Sequence, residues 1–151
     1  MDERIKRDTE QMAERYAKLV AGVPNSMLEH LETEFIAFDR EKGTLLQRIK
    51  MAQWMRNPGG VAHGGVTAAI IDNAMGTLST AMSGGRTPTI SMSINFIRGV
   101  PLDQDLYVEV ICEKQGKQIN FIRCRGYNES APEKALFTSE GSFFNPGKNN
   151  F

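Results

Sequence analysis

The sequence predicts an α+β domain in which an antiparallel sheet wraps one central helix. Three observations carry this. A helical run over residues 64–82 is apolar almost all round, a hairpin pattern precedes it, and strands with strict two-residue alternation follow it. A helix without a polar face is buried on most sides, and the only partner this chain offers is the sheet of its own strands.

The elements follow in order. Over the first twenty residues Ile5, Met12, Tyr16, Leu19 and Val20 recur at helical spacing among Glu, Lys and Arg, which predicts an amphipathic helix lying on the domain surface. Gly22 and Pro24 stop it. Residues 1–24 are therefore read as a helical extension, and 25–151 as the domain proper. Runs at 34–38 and 44–49, separated by Asp39-Arg-Glu-Lys-Gly43, predict a hairpin. Arg56-Asn-Pro-Gly-Gly60 is a loop. The central helix follows, closed by Ser83-Gly-Gly85. Ile90, Met92, Ile94 and Phe96 then alternate with Ser91, Ser93 and Asn95, and Leu106, Val108, Val110 and Cys112 repeat the pattern. Turns at Gln115-Gly116-Lys117 and 128–133 lead into strands at 119–127 and 135–144. Pro146, Gly147 and two asparagines predict a frayed tail.

Composition narrows the function. Eighteen Lys and Arg balance eighteen Asp and Glu, so no basic field points to nucleic acid. No run approaches the roughly 18 apolar residues of a membrane span. The charged start, MDERIKRDTEQ, is unlike a secretory signal, and a cytoplasmic location is expected. Two cysteines, Cys112 and Cys124, and two histidines are too few for a disulfide framework or a multi-His metal centre. Both cysteines are read as small buried hydrophobes, Met75, Met82 and Met92 as adaptable packing or an acyl tunnel, and His30 as a solvated residue.

Asp72 is the one ionisable side chain in the central helix, and a carboxylate is seldom buried unless paired or functional. Apolar surroundings would raise its pKa and make it a base near neutral pH. At the helix entrance, Ala62-His63-Gly64-Gly65 lets another atom approach the backbone, where free N–H groups and the helix dipole suit an oxygen gaining negative charge. Eight residues of helix separate Gly64 from Asp72, a rise of about 12 Å. A base and an oxyanion donor serving one carbonyl must each lie about 3 Å from it. If the two cooperate, each site takes Asp72 from one chain and the Gly64 N–H from another across a two-fold axis.

The stretch Asn57-Pro-Gly-Gly-Val-Ala-His63-Gly-Gly-Val-Thr-Ala-Ala-Ile-Ile-Asp72-Asn-Ala-Met-Gly76 closely resembles the signature of hot-dog-fold acyl-CoA thioesterases of the phenylacetate-pathway (PaaI-like) type, and 91–100 resembles that family's following strand. The resemblance covers roughly residues 34–144. It implies a hot-dog fold and hydrolysis of an acyl-CoA to free acid and coenzyme A, with no cofactor or metal, coenzyme A being part of the substrate. It implies Asp72 as general base or nucleophile and the Gly64 N–H as the group polarising the thioester carbonyl. Asn57 matches an amide near that carbonyl or the attacking water, and Ser91 a hydroxyl that helps position the water. His63 is expected to support the loop and contact the thioester region. Gly65, Arg86 and Arg98 are the further substrate-binding candidates, the arginines with Lys114 and Lys117 as cations for the nucleotide.

The expected assembly is a homodimer, paired again into a tetramer. Two other functions stand beside hydrolysis: an acyl-thioester dehydratase or hydratase, and an acyl-CoA-binding module without turnover. Asp72 weighs against a mere binder, which gains nothing from an unpaired carboxylate at the carbonyl.

Overall fold

The computed structural model describes residues 1–147. Its elements are α1 (Glu3–Ala21), α2 (Met27–His30), β1 (Thr33–Asp39), β2 (Thr44–Ile49), a 3-10 turn (Gln53–Met55), α3 (Gly64–Ser83), β3 (Thr89–Phe96), β4 (Leu106–Gln115), β5 (Ile119–Asn128) and β6 (Phe137–Phe144). The six strands form one antiparallel sheet in the order β1-β2-β4-β5-β6-β3.

The helix and β3 are thus inserted between two strands that pair with each other. The chain leaves β2, crosses the sheet as α3, and returns at the far edge as β3, which pairs with β6 and not with its sequence successor β4. The two edges are β1 and β3. Alternation along the strands sends Leu45, Ile49, Leu106, Val108, Val110, Ile122, Phe137 and Phe143 inward. Against them α3 buries Ile70, Ile71, Ala74, Met75 and Leu78, all on one face at helical spacing. Truncating such a leucine to alanine costs about 2–5 kcal/mol.

A buried polar cluster pins the second half of α3 to the sheet. Asn120 Nδ2 donates to Ser79 Oγ and Ser83 Oγ, and Asn145 Nδ2 donates to Asn120 Oδ1. The helix ends on Gly84 in the left-handed conformation (φ 76°), its N–H bonded to Thr80 O. Asn145 also donates to Gly116 O, so the segment after β6 is tied to the β4–β5 turn. Of the predicted frayed tail, Asn149 and Asn150 lie outside the described residues.

The N-terminal helix is amphipathic and lies on the domain surface, as its spacing predicts; its inner face buries Thr9 and Met12, and it is fastened at three points. Arg4 pairs with Asp39 at 3.0 Å; Thr9 Oγ1 accepts from the Phe38 N–H at 2.9 Å; and the Tyr16 ring stands edge-on to Phe35, with centroids 5.1 Å apart. The Arg4 guanidinium beside Asp39 holds that carboxyl below the usual carboxylate value. α2 and the 3-10 turn are short additions that hydrophobic periodicity does not mark. Exposed His30, at the end of α2, bonds Ser26 O through Nδ1 and meets the edge of Trp54.

Candidate active site

The start of α3 is built by the loop before it. The His63 N–H bonds Met55 O and the Ala62 N–H bonds Val100 O, which fixes where the helix begins. His63 is the N-cap residue, and its Nδ1 accepts from the Gly65 N–H at 3.0 Å. An accepting Nδ1 carries no proton, so the imidazole serves as a cap and presents only Nε2 outward. With the Gly65 N–H engaged, Gly64 is the first helical residue, whose N–H has no intrahelical acceptor. Asn57 organises the preceding turn, its Oδ1 accepting from the Val61 N–H at 3.2 Å. Gly64, Asn57, Phe96 and Arg98 together line a cavity of about 300 Å³.

Asp72 lies two turns further along, on the flank of α3 beside the start of β3. It is half-buried, and its surroundings are less apolar than the helix pattern implies: Thr89 Oγ1 donates to Asp72 Oδ1 at 2.7 Å. A register shift between Thr89 and Ser91 marks a bulge at the start of β3, and it re-aims Thr89 toward the helix. Asp72 and Thr89 line a second, larger cavity of about 670 Å³, whose opposite wall is α1. Asn73, next to Asp72, donates from Nδ2 to Tyr16 Oη at 2.9 Å and joins the two walls.

The predicted residues therefore fall into two groups. Gly64, Asn57 and Arg98 share the smaller cavity; Asp72 and Arg86 share the larger. His63 and Gly65 cap the helix beside the first group. Ser91 lies on neither wall, and its Oγ is 2.9 Å from Ser142 Oγ on the neighbouring strand. Arg98 is held by a bond from Nη1 to Ala135 O. Lys114 lies near the end of β4 and Lys117 in the β4–β5 turn, both outside the two cavities. Met75 is core, and Met82 and Met92 pack against it.

Sequence reasoning missed Thr89, Tyr16 and Asn73. Asn73 was the available signal, a second polar residue beside Asp72 on a helix of otherwise small and apolar side chains. Burial pushes the Cys124 thiol up to about 12 and raises that of Cys112. Among the described residues no group of three or more His, Cys, Asp or Glu could hold a metal ion, and no helix is long and apolar enough to cross a membrane.

The Thioesterase superfamily profile matches residues 59–135, just over half of the chain. The chain belongs to the Thioesterase superfamily. The matched segment holds Gly64, Asp72 and Thr89 and leaves α1 outside. Solved structures of similar fold include the PaaI protein from the phenylacetic acid degradation operon of Escherichia coli, with a TM-score of 0.78 at 18% identity, covering 95% of this chain and 96% of that one. A phenylacetic acid degradation-related protein from Ralstonia eutropha gives 0.72 at 20%, covering 85% and 98%. A Streptococcus mutans protein bound to acetyl-CoA gives 0.71 at 20%, covering 79% and 92%. At these identities the likeness fixes the fold: this Thioesterase superfamily member has the hot-dog architecture, a sheet wrapped around α3 with α1 added at the N-terminus.

Proposed function

We propose that the protein hydrolyses acyl-CoA thioesters to a carboxylic acid and coenzyme A, at sites shared between two copies of the chain. The observation that carries this reading is the division of the site. Asp72 lies on one cavity, and Gly64, on the same helix, lies on another. Two copies of α3 placed side by side about a two-fold axis bring each Asp72 to the other copy's Gly64, and the division disappears.

The edge strand β3 supports such a pairing. Its Ile90 is 54% and its Phe96 57% exposed in the single chain, an unpaired and partly apolar edge of the kind proteins cover. β3 pairing with its counterpart in a second copy would cover it, and two such dimers make the expected tetramer. Coenzyme A enters here as part of the acyl-CoA substrate, consistent with the acetyl-CoA held by the Streptococcus mutans protein of similar fold. Action in the cytoplasm belongs to the same reading.

The chemistry then runs as follows. Thr89 holds Asp72 Oδ1, and the other carboxylate oxygen takes a proton from water as the water oxygen attacks the thioester carbon. The carbonyl oxygen becomes an oxyanion facing the Gly64 N–H of the second copy, at the positive end of its helix. Collapse breaks the carbon–sulfur bond, and the proton on Asp72 passes to the departing thiolate. Asn57 lies beside Gly64 to contact the carbonyl. Arg98 borders that cavity and Arg86 the other, as cations for the nucleotide. The hydroxyl that positions the carboxylate and its water is assigned to Thr89 and not to Ser91.

The test is release of thiol from a panel of acyl-CoAs by the wild type and by Asp72→Asn. Turnover lost in a variant that keeps its fold and oligomer supports the reading, and undiminished turnover in Asp72→Asn removes it.

A further inference from the structure

The larger cavity changes character along its length. At the Asp72 end α1 contributes Tyr16, bonded to Asn73 beside the carboxylate. The two helices run in opposite directions: Arg4 ties the start of α1 to Asp39, and the neighbouring Arg40 donates from Nη1 to Ala81 O, late in α3. Ala81 is nine residues beyond Asp72, so the far end of the cavity lies about 13–14 Å along the helix. Arg40 of the β1–β2 turn and Arg86 of the α3–β3 connection line that end, and Arg15 of α1 lines the wall between.

Charge is unbalanced there. Among the described residues Arg15 and Arg86 make no ion pair or hydrogen bond. Asp8, the acid on that part of the cavity, already lies 3.8 Å from Arg4. Arg40 is held in place, its guanidinium 5.3 Å from the centre of the Phe38 ring and its Nη1 on Ala81 O, which leaves its other N–H groups without acceptors. In the same wall Thr87, only 6% exposed, has its Oγ1 3.1 Å from Thr80 Oγ1. One of the two hydroxyl protons lies in that bond, and the other is available to a bound group. Unpartnered cations and a spare donor around a concave site suit an anion.

We infer that this end of the cavity is an anion site at which Arg40 and Arg86, with Arg15, bind a carboxylate. A guanidinium fork matches the planar carboxylate with two parallel hydrogen bonds. The C-terminal end of α3 is close by, and the negative end of its dipole disfavours a doubly charged phosphate more than a singly charged carboxylate. On this inference Arg86 serves the carboxylate, and the nucleotide is left to Arg98 on the other cavity. Two carriers present such a group: the far end of a substrate's own acyl chain, in a thioester of a dicarboxylic acid, or a free dicarboxylate that binds beside the substrate. The first carrier rests on the thioesterase reading; the site itself does not.

The experiment has two arms. In one, kcat/KM is measured for adipoyl-, suberoyl- and sebacoyl-CoA beside hexanoyl-, octanoyl- and decanoyl-CoA, in the wild type, Arg86→Gln, Arg86→Lys and Arg40→Gln. In the other, calorimetry measures binding of free suberate and of free coenzyme A to the same proteins. If the acyl chain is the carrier, the wild type favours at least one dicarboxylic thioester over its unsubstituted counterpart by about tenfold or more. Arg86→Gln and Arg40→Gln then lower that ratio by about tenfold, the scale of one hydrogen bond to a charged group. Arg86→Lys, which keeps the charge and loses the fork, falls between. If the carrier is free, no such preference exists, and suberate binds the wild type about tenfold more tightly than Arg86→Gln. Either result supports the site. Should Arg40→Gln not fold, Arg86→Gln decides, because that side chain is exposed. The inference is overturned if neither the preference nor suberate binding depends on Arg86. It is also overturned if Arg86→Gln weakens free coenzyme A as much as it weakens the carboxylate ligand, which returns the arginine to the nucleotide. A wild type that hydrolyses no thioester overturns the thioesterase reading alone, and the dependence of suberate binding on Arg86 then decides the site.

Discussion

Thr89 Oγ1 donates a 2.7 Å hydrogen bond to Asp72 Oδ1, so a threonine re-aimed by a bulge at the start of β3 fixes the carboxylate at the edge of the larger cavity. A hydrogen bond to a charged group contributes about 1.5–3 kcal/mol. Thr89→Val should therefore lower kcat by about tenfold or more with a small change in KM, while Asp72→Asn should cost about 10²–10⁴-fold. Steady-state kinetics on purified variants separates the two. Single-turnover hydrolysis in heavy-oxygen water then tells base from nucleophile, since only a nucleophilic Asp72 places its own oxygen in the acid released.

His63 caps α3 through Nδ1, and its expected contribution is to stability more than to proton transfer. His63→Ala should destabilise by about 1 kcal/mol, as loss of an N-cap does, and lower Tm by about 2–4 °C. Its effect on kcat should be well below that of Asp72→Asn. Thermal unfolding together with kcat on the same preparations checks this, and a loss of turnover equal to that of Asp72→Asn would return the imidazole to the chemistry.

The Arg4–Asp39 pair makes α1 acid-sensitive. Asp39 titrates lower in the folded protein than in the unfolded chain, chiefly because Arg4 hydrogen-bonds its charged form. The unfolded chain therefore takes up the proton first. The stabilisation is complete above the ordinary carboxylate value near 3.8 and is lost as pH falls through the lower folded value. Tm should drop more steeply from about pH 5 to pH 2 in the wild type than in Asp39→Asn, which is less stable at neutral pH and lacks this component.

Gly126 on β5 has no room for a side chain. A Cβ there would come within 2.2 Å of the Phe137 ring, which is fully buried. Gly126→Ala should cost about 1–3 kcal/mol or more through overpacking, read as a lower midpoint in urea at unchanged slope.

The fold was legible where one pattern has one explanation. A helix as apolar as α3 fits only beneath a sheet, and the alternation of β4 fits only a half-buried strand. The pattern of α1 has two explanations, since Met12, Tyr16 and Leu19 at helical spacing look the same whether they cover a core or roof a cavity. Nothing in the alternation of β3 shows that it lies at an edge, because pairing with β6 instead of β4 is a matter of topology and not of local sequence. In the site, Gly64 and Asp72 stood out because their residue types are costly in a buried helix. Thr89 did not, since a threonine at a strand start is ordinary and only the bulge turns it to the carboxylate.

Complementation between two inactive chains measures the central claim most directly. Gly64 is the first residue of α3, where proline is tolerated because its missing N–H has no helical role, and His63 before it is already extended at φ −61°, ψ 135°. Gly64→Pro therefore removes the proposed oxyanion donor and keeps the helix. Mixing Gly64→Pro chains with Asp72→Asn chains, each inactive alone, should restore thiol release to about one quarter of the wild-type level on random pairing, since half the dimers are hybrids with one intact site each. Hybrids that form and stay as inactive as either parent would contradict a site built from two copies.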